Sequence, residues 1–439
     1  MRFMANILIT TFGSLGDIHP YMALAMELQQ RGHGVTIATS EPYRKKILDE
    51  GIGFAAVRPG LDQGQTIPEL MEKVMDSRTG TEYLFRKIIV PSLQDSYDDL
   101  LEPAAQCDLM ITHPVAVTAP IVAEKLQKKW ISSALCPASL WSVYDPPELS
   151  PVPSLGHLRK LGPRFQEAIL RLAKRITLPW VREIFEFREA QGLPRGAHPM
   201  FEGQHSPWGV LALFSPLLAA PQVDWPANTK CSGFCYYDHL GEVALHPTPV
   251  QAGQAEQLQQ FLDAGEAPLV FTLGSAAVFT ARDFYQQCLE ATLALKQRAV
   301  MLVGERANLP QDVPPEVFVC DYAPHSELFP RAKVIIHHGG AGTTGQAMRA
   351  GKPMLVVPFS HDQPDNAARL ERLGVALRLM RRRFSAPRAT KLLHQLLETR
   401  AFAKQAELMG NEVRREAGPS SAAGFVESVL KSNLSNAVK

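Results

Sequence analysis

The chain has no surplus of charge of either sign: 45 Lys and Arg face 44 Asp and Glu, a net charge of +1. That balance removes any global electrostatic basis for nucleic-acid binding and makes a small-molecule site the better expectation. Cysteine is scarce and scattered. Of Cys107, Cys136, Cys231, Cys235, Cys288 and Cys320, only Cys231 and Cys235 stand close, with no His or Cys cluster to complete a zinc site. A disulfide framework is therefore not expected, and a reducing compartment is. No stretch approaches the roughly 18 consecutive apolar residues that span a bilayer. The first apolar run meets Gly13 and Asp17 too soon for a signal peptide. The chain is thus expected to be cytoplasmic, with peripheral contact at the inner membrane face left open. G-x-G-x-x-G is also missing after the first strand, where FGSLGD stands, which argues against a nicotinamide dehydrogenase.

What is present is 439 residues at 46% hydrophobic content, too much for one ordinary core and without a low-complexity tract. Near the N-terminus NILITT, a glycine-bearing loop, an apolar helical pattern at Tyr21, Leu24, Ala25 and Leu28, and GVTIAT follow one another. That order is a βαβ unit and demands a parallel sheet. CDLMITH and WISSAL read as later strands of the same sheet. The second half repeats the grammar with PLVFTLGS, AVMLVG, VFVC, VIIH and MLVVP. The fold class is α/β, with two Rossmann-like, doubly wound parallel sheets. The expected domains are 1–240, with a helical insertion at 156–192, a turn-rich linker at 241–257, and 258–439, whose last helix could return to the first domain.

Candidate chemistry gathers where strands end. VIIHHGGAGTTGQAMRAG runs from a strand through glycines into a helix, and such a turn lets backbone N–H groups approach a diphosphate without a Cβ in the way. His337 or His338 can add a side-chain donor, and Thr343 and Thr344 offer hydroxyls, with Gly340 and Gly342 between them. Asp362 and Gln363, just past MLVVP, suit sugar hydroxyls or, equally, a helix cap. Tyr322 can stack on a base whose edge Ala323 reads, or the two can belong to a packed turn. Ser275 either lines the site or closes its turn. In FGSLGDIHP the candidates for a general base are Asp17 and His19, although either could cap a helix with Pro20 at its first position.

Taken together, Tyr322 to Gln363 resembles the nucleotide-sugar signature of the family 1 glycosyltransferases, whose GT-B fold sets two Rossmann-like domains face to face across a cleft. HHGGAGTT is similar to the form in sterol 3-beta-glucosyltransferases. FLDAGEAPLVFTLGSA and SHDQPDNAARLERLG resemble the bacterial rhamnosyltransferases of rhamnolipid synthesis. Counting back from Gly351 and Pro353, the resemblance puts His338 at the phosphates, Gly342 to Thr344 around them, Tyr322 and Ala323 at the base, and Asp362 and Gln363 at the sugar. It implies a metal-independent, inverting enzyme with no cofactor beyond a nucleotide-sugar co-substrate, either dTDP-rhamnose or UDP-glucose in type. Its other partner would be an apolar hydroxyl acceptor, lipid, sterol or other aglycone, to which Met22, Phe85, Leu140, Trp141, Trp180 and Phe185 could contribute.

Two departures matter. Gln346 stands where many members carry a ribose-binding glutamate, so the charge-assisted contact to UDP is expected to be lost. In the plant form a histidine replaces Asp17 and is held by an aspartate from the region of 113–118. Here THPVAVT supplies no carboxylate, so a His–Asp dyad of that kind is expected to be absent, with Asp17 acting directly and His19 and His113 as the next candidates. A nucleotide-sugar 2-epimerase or a catalytically silent accessory protein remains the alternative.

Overall fold

The computed structural model describes residues 4–60, 66–238 and 250–432, which form two units. The first contains strands β1 (Asn6–Thr10), β2 (Gly34–Thr39), β3 (Gly53–Ala56), β4 (Leu109–Thr112), β5 (Lys129–Ala134), β6 (Val210–Ala212) and β7 (Thr229–Cys231) in the order β3-β2-β1-β4-β5-β6-β7. Every pairing is parallel, with Ile9 opposite both Ile37 and Ile111. The central strands are continuous runs of Ile, Leu and Met because helices cover both faces. Ile7, Leu8, Ile9, Met110 and Ile111 are all buried, each worth about 1.5–3 kcal/mol of transfer free energy.

The second unit repeats the design with β8 (Leu269–Thr272), β9 (Ala299–Leu302), β10 (Val317–Cys320), β11 (Val334–His337), β12 (Met354–Val356) and β13 (Ala376–Arg378), ordered β10-β9-β8-β11-β12-β13 and wholly parallel. In both units the winding reverses between the first strand and the fourth, at β1/β4 and at β8/β11. Loops at the carboxyl ends of such a pair diverge to opposite faces and leave a crevice, the place where open α/β sheets bind ligands.

The units are not simple halves of the sequence. Residues 67–77 belong to the second unit. Their helix, Ile67–Val74, is followed by Met75, which lies in the second core, and Glu72 pairs with Arg282 at 2.8 Å. Residues 416–432 belong to the first unit. There the helix Gly418–Lys431 buries Ala422, Val426 and Val429, Glu427 meets Arg31 at 3.2 Å, and Lys129 Nζ donates to the Leu430 carbonyl at 2.8 Å. The expected linker lies outside the described residues at 241–249, and its remainder opens the helix Val250–Asp263.

The expected insertion at 156–192 is helical, with Pro163–Thr177 and Arg182–Ala190 as its α-helices. The second of these packs on the first unit through Ile184 and Phe185, and its Arg188 pairs with Glu124 at 2.6 Å.

Candidate active site

At the β8/β11 crevice, β11 delivers two histidines into different surroundings. His337 is the last strand residue and is wholly buried, with Nδ1 accepting from the Gly339 N–H at 3.1 Å. His338 is 6% exposed and stands between two glycines. A Cβ on Gly274 would lie 2.5 Å from its Cε1, and one on Gly340 2.4 Å from its Nε2. Both glycines therefore make room for the imidazole, a use not anticipated for either. Gly274 also has φ +65 and Gly339 φ +91, which other residues rarely adopt.

Gly340 caps the helix Ala341–Ala350, and the first intrahelical bond here runs from the Thr344 N–H to the Gly340 carbonyl at 2.8 Å. The N–H groups of Ala341, Gly342 and Thr343 come before it and have no partner within the helix, so they form its electropositive end. Ala341 was not among the expected residues. Thr344 is fully buried and its hydroxyl finds no partner among the described residues, whereas Thr343 keeps slight exposure. Burial, and then the nearby His325, push the His338 pKa down to about 3. His325 itself, stacked on Phe329 with centroids 4.3 Å apart, is pushed down to about 4 by burial. At neutral pH this imidazole is therefore uncharged and able to give one hydrogen bond.

The loop after β12 is tied to this turn. Asn366 Nδ2 donates to the Gly339 carbonyl at 2.9 Å and to Asp362 Oδ2 at 2.7 Å. Gln363 Oε1 accepts from the N–H groups of Phe359 and Ser360, at 2.8 and 3.1 Å. That fixes the side chain and leaves its NH2 without a partner among the described residues. Asp362 does occupy the cap position of the helix Gln363–Arg372, yet its side chain makes no capping bond. Asn366, the link between the turn after β11 and the loop after β12, was not anticipated. Ser275 and Tyr322 are half-buried on the loops after β8 and β10, and Ala323 is buried.

Gln346 is engaged at both ends. Its Nε2 donates to Asp238 at 3.1 Å, and its Oε1 accepts from Arg349 at 2.8 Å. Burial opposes the Asp238 charge, but hydrogen bonds from Arg349 and Gln346 outweigh it and hold this carboxyl below its usual range. A carboxylate therefore does stand beside the position that lost one, supplied by a residue distant in sequence and already bound to an arginine.

At the β1/β4 crevice the helix Leu15–Gln30 begins earlier than expected. Ser14 is its cap, and Asp17 Oδ2 accepts from the Ser14 N–H at 2.8 Å and the Ser14 hydroxyl at 3.2 Å. Pro20 consequently sits inside the helix. The other carboxylate oxygen, Oδ1, lies 3.4 Å from His113 Nε2 at the end of β4. His113 Nδ1 accepts the Val115 N–H at 3.3 Å, which assigns the ring proton to Nε2 and aims it at Asp17. A His–Asp dyad thus exists, with carboxylate and imidazole exchanged between the two loops relative to the plant arrangement. His113 is 7% exposed and Asp17 about a third exposed, so the carboxylate is the member presented outward. His19, two residues further along the helix, points elsewhere and packs on Tyr237 with centroids 5.0 Å apart.

A cavity of about 310 Å³ in the first unit reaches His113 and is walled by Pro114, Ile121, Trp130, Ile184 and Gln204. Of the apolar residues proposed for an acceptor, Met22, Phe85, Leu140 and Phe185 are core, at 4% exposure or less. Trp141 is tied to the Met200 carbonyl at 3.0 Å. No cluster of three potential metal ligands occurs among the described residues, and no helix there is long and apolar enough to cross a membrane.

Residues 7–144 match the glycosyltransferase family 28 N-terminal domain, and residues 287–429 match the erythromycin biosynthesis protein CIII-like C-terminal domain. The chain is 30% identical over 434 residues to O-mycaminosyltylonolide 6-deoxyallosyltransferase of Streptomyces fradiae, covering 96% of this chain and 97% of that one. It is 26% identical to the sterol 3-beta-glucosyltransferase of Pichia angusta over 93% of its own length, which is 32% of that longer enzyme. Among solved structures, the glycosyltransferase of kitacinnamycin superposes with a TM-score of 0.71 at 21% identity, covering 98% of this chain and 100% of that one. The glycosyltransferase VinC in complex with dTDP gives 0.66 at 21%, covering 97% and 99%. At such identity these two speak for the fold, GT-B.

Proposed function

From a chain that belongs to the GT-B glycosyltransferases, enzymes that use nucleotide sugars, we propose a specific reaction: transfer of a deoxyhexose, with dTDP-rhamnose as the donor type, to a hydroxyl of an apolar acceptor, with inversion. The observation that carries it is the Asp17–His113 pair. A carboxylate presented outward at a switch point, with its second oxygen held by Ser14, is oriented as a general base, and the buried His113 fixes its direction. His113 acts through Asp17 and is a positioning residue.

In this reading Asp17 takes the acceptor hydroxyl proton as that oxygen attacks the anomeric carbon. The bond from that carbon to the diphosphate oxygen breaks, and the leaving group takes the electron pair. Its new charge falls to the N–H groups of Ala341, Gly342 and Thr343 and to the hydrogen bond that the neutral His338 donates. Asp362 and the free NH2 of Gln363 hold sugar hydroxyls. Tyr322 and Ala323 hold the base, and Ser275 lies on the adjoining turn. The relative at 30% identity is named for transfer of a 6-deoxyhexose, which supports a deoxysugar. Gln346, already bonded to Asp238 and Arg349, offers no free carboxylate to a ribose, which supports dTDP over UDP. The cavity beside His113, with Trp130 and Ile184 in its wall, suits an apolar acceptor body.

The test is a panel of dTDP- and UDP-sugars against 3-hydroxy-fatty acyl, sterol, macrolide and phenolic acceptors, with products identified by mass and anomeric configuration by NMR. An inverted deoxyhexoside from a dTDP donor is the expected product. A retained anomer, or efficient use of UDP-glucose alone, rejects the specific reading.

A further inference from the structure

The helix Pro163–Thr177 is built the wrong way round for a helix resting on a protein. Its two buried residues are polar, Gln166 and Thr177, while Phe165, Leu172 and Ile176 are exposed at 39%, 56% and 57%. The polar side is fastened down. Gln166 Nε2 donates to the Leu158 carbonyl at 2.8 Å, Thr177 Oγ1 lies 3.2 Å from His198 Nε2, and Lys174 pairs with Glu202.

At about 100° per residue, Phe165, Ile169, Leu172 and Ile176 fall within about 60° of arc and form one outward stripe. Leu161, just before the helix, and Leu178, just after it, are 57% and 44% exposed and lengthen the apolar segment at both ends. Arg164, Arg171 and Arg175 form a second ridge about 110° round the same helix, along one flank of the stripe. From Gly156 to Leu178 there are six Lys or Arg against the single Glu167, in a chain that is otherwise balanced. Glu167 is taken by Arg171 at 2.6 Å, and Lys160, Arg164 and Arg175 have no ion-pair partner among the described residues.

We propose that this helix docks on an anionic phospholipid surface, with the stripe entering the headgroup–acyl boundary and the arginine ridge resting on phosphates. An apolar face flanked by a ridge of arginines has the form of an interfacial helix. Charge decides against a second copy of this chain as the occupant. A two-fold interface would bring the same patch of both copies together, with the excess of positive charge facing itself.

The experiment is co-sedimentation of the full chain with phosphatidylcholine vesicles with and without phosphatidylglycerol, at low and high salt, alongside light scattering without lipid. Wild type is expected to partition at least about tenfold more onto the anionic vesicles, and less so in high salt. Leu172→Glu with Ile176→Glu should lower that binding about tenfold or more. Arg164→Gln, Arg171→Gln and Arg175→Gln together should remove the anionic preference. Both sets lie on the solvent side, so melting temperature and nucleoside diphosphate binding should stay at wild-type values. Vesicle binding unchanged in both variants overturns the proposal. So does a dimer without vesicle affinity that the glutamates dissociate, which would assign the stripe to self-association.

Discussion

Gly340→Ala isolates one contact. Gly340 has φ −62 and ψ 148, which alanine adopts without strain, so the perturbation is the methyl group alone. That methyl would lie 2.4 Å from His338 Nε2, where an ordinary contact is 3.4 Å or more, and Gly274 confines the ring on another side. The imidazole must therefore shift by about 1 Å, enough to lose a charge-assisted hydrogen bond to a diphosphate worth about 1.5–3 kcal/mol. Nucleoside diphosphate affinity should fall about 10- to 150-fold by calorimetry, and His338→Ala should cost about the same. The double-mutant cycle is decisive. Once His338 is alanine, adding Gly340→Ala should cost less than about 0.5 kcal/mol, because the methyl then enters space the ring has left. If Gly340→Ala retains its full cost in the His338→Ala background, the glycine serves direct approach of a ligand to the backbone, and the reasoning about His338 is refuted.

His113→Ala should lower kcat about tenfold and change its pH profile, while His113→Gln, which can still donate to Asp17, should recover part of the loss; equal kcat in both variants would reduce His113 to packing. Folding stability should fall on acidification. His338 and His325 are held at about 3 and about 4, below the ordinary value near 6.5, so the unfolded chain binds more protons between those limits. Each ring should therefore remove about 2 kcal/mol between pH 7 and pH 5, and His338→Gln should abolish its share in urea unfolding of the second unit. Met75→Ala, in the second core at 7% exposure, should destabilise the second unit by about 2 kcal/mol and leave the first unchanged in hydrogen exchange.

The strand–glycine–helix grammar was legible because buried parallel strands are continuous apolar runs and because the turns between strand and helix need glycine. HHGGAGTT accordingly lies at the switch point of the second sheet. Which histidine looks outward was not legible, since both follow the same strand and only the end of β11 separates a buried His337 from a His338 set between glycines. The exchanged dyad was not legible for a different reason. The reading looked for a carboxylate near residue 113 and found none, but β1 pairs with β4 and brings Asp17 to the imidazole already there. Pro20 suggested a later helix start, yet the Ser14–Asp17 bonds begin the helix a turn and a half sooner. The aromatic and apolar residues offered to an acceptor were mostly core, because apolar periodicity does not distinguish a lining from a packing role. The segment 67–77 lies early in the chain yet belongs to the second unit, an assignment set by the core that receives Met75.

The central claim is that Asp17 and His338 divide one transfer reaction between proton removal and leaving-group stabilisation. It is tested most directly by measuring turnover and donor dissociation constant together for Asp17→Asn and His338→Ala, with the best donor and acceptor from the panel. The account predicts that Asp17→Asn lowers kcat about 10²- to 10⁴-fold with the donor constant unchanged, while His338→Ala weakens donor binding at least about tenfold. Turnover within a factor of about ten of wild type in Asp17→Asn, or donor binding untouched by His338→Ala, would contradict it.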